Sequence, residues 1–158
     1  MRARTALLAT PLALLGLAAC GGGDGGSGKA ADSPKGGAKA ATSVKVAQSD
    51  LGPILVDQQG RTLYAFTKDK DRASNCDADC IAVWPALTGK DQASAGKGAD
   101  KALLGKAERT KGAVQTTYGQ WPLYYYVGDS AAGDTSGQGL DGEWFVVGAD
   151  GKLIRKSA

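Results

Sequence analysis

The chain contains no histidine, and its one methionine is Met1. Histidine-ligated zinc, copper and iron are therefore excluded, as is haem held by histidine or methionine. Without histidine neither a Ser-His-Asp nor a Cys-His nucleophile can be assembled. General-base work near neutral pH would need a carboxylate or lysine with a strongly displaced pKa, and no local pattern marks one. No cofactor is implied. Long helical periodicity is missing too, so the chain reads as mainly β. Phenylalanine is scarce, with only two residues, and cysteine is limited to Cys20, Cys76 and Cys80.

The only long apolar run is Ala6 to Ala19, behind Arg2 and Arg4. It is shorter than the roughly 20 residues a permanent span requires and has the layout of an export signal. It ends in Leu17-Ala18-Ala19-Cys20-Gly21, which resembles the lipobox of bacterial lipoproteins. The resemblance implies a signal peptide over 1–19, a lipidated Cys20 at the mature N-terminus, and anchoring on the extracytoplasmic face of the cell membrane. More than one acyl chain on one cysteine makes such an anchor stable. Residues 20–43 are rich in Gly, Ala, Ser and Lys and lack large apolar side chains, so they read as a flexible tether. Loss of Arg2 and Arg4 lowers the formal charge from +3 to +1. A chain so near neutrality has no footprint for nucleic acid.

Residues 44–158 suffice for one β domain with a modest core. Within them the chain repeats itself at a sixty-residue offset. Leu63 falls on Leu123, Tyr64 on Tyr124, Phe66 on Tyr126, Asp69 on Asp129, Trp84 on Trp144 and Ile54 on Val114. Such uncommon residues at one offset mark an internal duplication, with copies over about 50–90 and 113–155. Each copy is expected to be built on a β-hairpin. In the first, Ile54-Leu55-Val56 and Leu63-Tyr64-Ala65-Phe66 flank the turn Asp57-Gln58-Gln59-Gly60, with Val44–Ala47 as a further strand. Alternation puts Tyr64 and Phe66 on one face, Leu63 and Ala65 on the other. In the second, Val114–Thr117, Leu123–Val127 and Glu143–Val147 are strands, and a last hairpin turns at Ala149-Asp150-Gly151. Residues 88–112 read as a partly ordered connection. Tyr118, Trp121, Tyr124, Tyr125 and Tyr126 are too many for one face of one strand. Either one set faces solvent, where it could stack on sugars or a partner, or both faces are buried between layers.

Residues 67–79 carry Asp69, Asp71, Asp77 and Asp79 but lack the glycine and terminal acid of a calcium loop, so they read as a solvated acidic loop. Asp77 or Asp79 can cap one short helical turn running towards Trp84, which Pro85 stops. Outside the cytoplasm Cys76 and Cys80 are expected to oxidise to a disulfide that holds this loop. A working redox pair and a thiol metal site remain open alternatives. The Cys-x-x-x-Cys spacing is one longer than the usual exported redox motif.

Taken together, Tyr64-Ala65-Phe66-Thr67-Lys68-Asp69, its second copy Tyr124-Tyr125-Tyr126-Val127-Gly128-Asp129, and Cys76, Cys80, Trp84, Pro85 and Trp144 resemble a family of bacterial exported lipoproteins described as secreted repeats. That resemblance implies location and architecture and supplies no activity. The expectation is a membrane-tethered, non-catalytic binding or structural module whose ligand is an envelope protein or a glycan. Tyr64, Phe66, Asp69, Trp84, Tyr124, Tyr126, Asp129 and Trp144 are the signature residues in question. The alternative is a redox or electron-transfer accessory acting through Cys76 and Cys80.

Overall fold

The computed structural model describes residues 42–109 and 113–157; the leader, Cys20 and most of the tether lie outside them. β1 (Ser43–Ser49) and β2 (Gly52–Asp57) form an antiparallel hairpin. Ser49 shapes its turn, accepting the Leu51 N–H at 3.2 Å and donating to the Gly52 carbonyl at 3.0 Å. Gly52 takes φ +103°, a conformation that a Cβ strongly disfavours. The Ile54-Leu55-Val56 strand is thus present with β1 along one edge, and along the other the expected hairpin forms only over Arg61–Leu63, Leu63 N–H donating to the Leu55 carbonyl. The chain does turn after Asp57, with Val56 bridging Thr62, and then leaves β2.

β3 (Tyr64–Phe66) follows, then α1 (Ala78–Val83), capped by Asp77, whose Oδ1 accepts the Cys80 N–H at 2.9 Å. Next come β4 (Thr88–Gly89), β5 (Ser94–Ala95), β6 (Leu104–Glu108), β7 (Val114–Tyr118), β8 (Trp121–Pro122) and β9 (Trp144–Val146). Residues 88–112 are therefore more than a connection. β5 lies parallel to β1 along its outer edge, and β6 pairs with β7 in the second copy's hairpin. Glycine and charge hide β6 in the sequence; β7 supplies the ladder that makes it a strand.

The duplication carries one local slip. Leu63 N–H donates to the Leu55 carbonyl at 3.0 Å, whereas Leu123 N–H donates to Thr116 at 3.0 Å. Thr116 therefore takes the place of Leu55, one residue beyond the sixty-residue offset, and Ile54 corresponds to Gln115 rather than Val114. The slip is undone before Tyr124, because the second copy's hairpin turn is one residue longer and its next turn one shorter.

The copies are joined by crossing. β3 of the first copy pairs with β9 of the second, Tyr64 opposite Val146 and Phe66 opposite Trp144. Reciprocally, Tyr124 bridges Ala86, Tyr125 N–H donates to Pro85 and Val127 N–H to Val83. Between these two pairings Tyr64 and Tyr124 face each other directly, each N–H donating to the other's carbonyl at 2.9 Å. A pseudo-twofold axis passes through that pair, and each half is completed by a strand from the other.

This crossed layer separates two cores, so both its faces are buried. Tyr64, Phe66, Tyr124 and Tyr126 point into one core with Trp84 and Trp144. Leu63, Ala65, Leu123 and Tyr125 point into the other with Val44, Leu55 and Tyr118. The period-two alternation expected of these runs holds in both copies. It also settles where the clustered aromatics go: Tyr118 and Tyr124 are fully buried, while Trp121, Tyr125 and Tyr126 are half-buried. The terminal turn forms as expected, Gly148 N–H donating to Lys152 C=O at 2.8 Å.

Candidate binding site

Crossing brings all eight signature side chains together. Trp84 and Trp144 stack face to face at 3.9 Å with planes 2° apart. Phe66 lies on the outer face of Trp144 at 4.4 Å and Tyr126 on that of Trp84 at 4.5 Å. The result is a four-ring column, Phe66–Trp144–Trp84–Tyr126, bisected by the pseudo-axis. Tyr64 meets Trp84 edge-on at 5.4 Å, and Tyr124 meets Trp144 likewise at 5.3 Å. Edge-to-face and offset contacts suit the ring quadrupoles and add to the apolar area removed from water.

The acids of the signature lock the tyrosines. Tyr64 donates its hydroxyl to Asp129 Oδ2 at 2.8 Å, and Tyr124 donates to Asp69 Oδ2 at 2.7 Å. Asp69 is therefore not part of a solvated loop. It is 3 % exposed, and its Oδ1 accepts the Asn75 N–H at 2.7 Å. Burial raises both phenols well above their ordinary value, with the facing carboxylates contributing. Burial also raises Asp69 and Asp129, against the hydrogen bonds they accept. Protons consequently stay on the phenols, and the four groups form two hydrogen-bonded clasps.

Cys76 and Cys80 are joined in a disulfide, their Cα atoms 5.3 Å apart. Cys76 is buried against the aromatic core and Cys80 half-buried. No group of three or more acidic or cysteine ligands converges as a metal site among the described residues.

The pseudo-symmetry also breaks at the two ends of the column. At the Phe66 end, an ion pair between Lys68 and Glu143 at 2.6 Å lies beside the column. The equivalent positions at the Tyr126 end are Gly128 and Val83. Val83 and the neighbouring Val127 are 43 % and 60 % exposed, the only large hydrophobics so exposed among the described residues. Gly128 lies so near the Tyr126 ring that an added Cβ would fall 2.4 Å from it. In the first copy, Arg72 reaches across to donate its Nε–H to the Gly119 carbonyl at 2.9 Å. Its counterpart sixty residues on is Ala132, which has only a methyl group.

A cleft of about 350 Å³ opens there. Pro85, Tyr125, Tyr126 and Val127 make its apolar wall; Gln59, Arg61, Thr62 and Asp129 make the polar one. Arg61 is fixed in place. Its Nε and Nη2 bind Asp57 Oδ2 at 2.9 and 2.8 Å, and its guanidinium lies 3.9 Å over the Tyr125 ring. Tyr125 donates its hydroxyl to the same Asp57 oxygen at 3.0 Å. Asp57, fully buried, also accepts the Gln59 and Arg61 N–H groups on Oδ1. Sequence reasoning took Asp57 only as a turn residue; an acid opening a turn that carries an arginine four positions on was the available signal.

A family model described as a secreted repeat of unknown function matches residues 45–88 and again 105–148. The chain belongs to that family. Both ends of the two matches differ by sixty residues, and each match runs from within the first strand of a hairpin through the segment it lends across the axis. No curated protein and no solved structure matches. The second secreted repeat accordingly begins within β6, ahead of the aromatic run that first drew notice.

Proposed function

We propose that this secreted repeat protein is a lipid-tethered, non-catalytic binding module of the cell envelope, anchored through Cys20 on the extracytoplasmic face, which presents the cleft beside Tyr126 to its ligand. The observation that carries the reading is the broken symmetry. Two copies of one unit share the tyrosine, tryptophan and aspartate of the signature, yet only the Tyr126 end of the column exposes Val83 and Val127 and has Ala132 in place of the crossing arginine. Exposed apolar surface at a rigid, preorganised cleft is a cost to solubility that a ligand removes. The buried acids and phenols are satisfied by one another, which supports binding over catalysis.

The test has two parts. Intact mass of the membrane-extracted protein should give a diacylated residue 20, and Cys20→Ala should abolish detergent partitioning. In the unlipidated Cys20→Ala background, sedimentation with purified cell envelopes should then be strong, and it should be lost on adding Val127→Asp, a change at an exposed position. Equal sedimentation of the two would remove the cleft from the reading. A thiol-exchange accessory is the second reading, favoured by the partial exposure of Cys80. It requires that glutathione open the disulfide in the folded protein.

A further inference from the structure

The chemistry of the cleft narrows its ligand, on the reading that the cleft is the binding site. Consider first its charges. Arg61 faces Asp57, which binds it through Nε and Nη2. Asp129 holds the Tyr64 hydroxyl on one oxygen and the Ser136 N–H on the other at 3.0 Å. Arg61 is thus neutralised from within the protein, so an anionic ligand would find no unanswered cation, and both Asp129 oxygens are already taken by donors of the chain. A purely apolar ligand fits no better, because it would strip water from Gln59, Arg61 and Asp129 without replacing those hydrogen bonds.

What remains is a ligand with one apolar face and a polar edge. A pyranose ring has that character: axial C–H groups on one face, hydroxyls around the rim. Tyr126 and Val127 present an aromatic and aliphatic surface, and Gln59 with Arg61 stands opposite. Arg61 Nη1 has no hydrogen-bond partner among the described residues, so one donor nitrogen is left free while the other two hold the group in place. A guanidinium so held suits a neutral carbonyl acceptor. The adjoining Ala131 and Ala132 give a methyl-lined pocket end. The cleft's volume lies at the low end of the roughly 300–1,000 Å³ typical of ligand sites, enough for a short saccharide segment.

We infer that the cleft takes a neutral, acetamido-bearing sugar of an envelope glycan, its ring on Tyr126 and Val127 and its acetamido carbonyl on Arg61 Nη1. The acetamido methyl lies towards Ala131 and Ala132.

The test is calorimetric titration of the membrane-purified full chain with chitotriose, and with cellotriose, which has the same linkage and no acetamido groups. Tryptophan fluorescence is followed in parallel, since Trp84 stacks on Tyr126 and on Trp144. Chitotriose should bind saturably. Cellotriose should bind about tenfold more weakly, the loss of roughly one good hydrogen bond with its methyl contact. Val127→Asp should abolish the chitotriose signal while keeping the wild-type circular dichroism. Arg61→Lys, which keeps the charge against Asp57 but loses the fork, should erase the preference for chitotriose over cellotriose. Equal affinity for the two sugars in the wild type overturns the acetamido assignment. Absence of saturable binding to either, with envelope sedimentation still lost in Val127→Asp, overturns the sugar class while the binding-module reading stands. If that sedimentation is also unaffected, both fall.

Discussion

Tyr64 donates its hydroxyl to Asp129 at 2.8 Å across 65 residues of chain, and the same contact is returned from Tyr124 to Asp69. The repeated Tyr-x-aromatic-x-x-Asp pattern is thus not a local motif. Its tyrosine and its aspartate meet only because the two copies face each other.

The clasps should contribute unequally. Tyr124→Phe leaves the buried Asp69 carboxylate short of a donor, at a cost of about 1–3 kcal/mol. Tyr64→Phe does the same to Asp129, which is only half-buried, and should cost less. Urea denaturation should place the two variants in that order. A neutral result for either would mean that its carboxylate finds another partner.

Stability should also depend on pH in a definite direction. Asp69 and Asp129 bind protons more tightly in the folded chain than at the ordinary 3.8. Their contribution is therefore complete below 3.8 and is lost as pH rises through the raised folded values. Asp69→Asn with Asp129→Asn should flatten that decline in a pH series of denaturation curves. At the alkaline end Tyr64, Tyr118, Tyr124 and Tyr125 all titrate above their ordinary 10.0 in the folded state, burial being the first cause. Their stabilising contribution is lost as pH climbs past 10. Tyrosinate absorbance from these four should therefore appear with unfolding and not before it.

The Cys76–Cys80 bond closes a loop of only a few residues, so chain entropy makes it worth about 2 kcal/mol. Cys76→Ser should lower the melting temperature by several degrees and leave the domain folded. Thiol titration of unreduced protein should find neither of these two sulfurs free.

Cutting the molecule should be far worse than loosening it. A first-copy fragment ending before β6 lacks β9, the partner of β3, and a second-copy fragment lacks the 83–87 segment. Each alone should be unfolded by circular dichroism and amide exchange. Mixed, the two should recover the native near-ultraviolet signal of the stacked tryptophans. A folded lone copy would contradict the crossed pairing.

Much of this architecture could be read from residues alone, for identifiable reasons. Tyr64, Trp84, Asp69 and their counterparts are uncommon and interlocked, so their spacing survives in both copies. Alternation assigned Leu63 and Tyr64 to opposite faces because side-chain direction in a strand has period two. Alternation says nothing of which strand lies alongside, and so the exchange of β3 and β9 between halves was invisible. β6 is hidden because Leu104-Gly105-Lys106-Ala107-Glu108 has one large apolar residue and a glycine in second place. β7 was legible as a strand, but its burial was not, with Gln115, Thr116 and Thr117 all buried where the first copy has Ile54, Leu55 and Val56. The cleft depends on Arg72 crossing in one half and Ala132 failing to cross in the other, a difference only tertiary structure reveals.

The exchange of strands also sets a timetable for export. β3 emerges early, but the strand that satisfies its free edge is β9, in the second copy. Until Trp144–Val146 has cleared the membrane, Tyr64 and Phe66 have no lasting place to go, and closure of so long a loop is slow. The first copy is thereby kept threadable until the second has followed it.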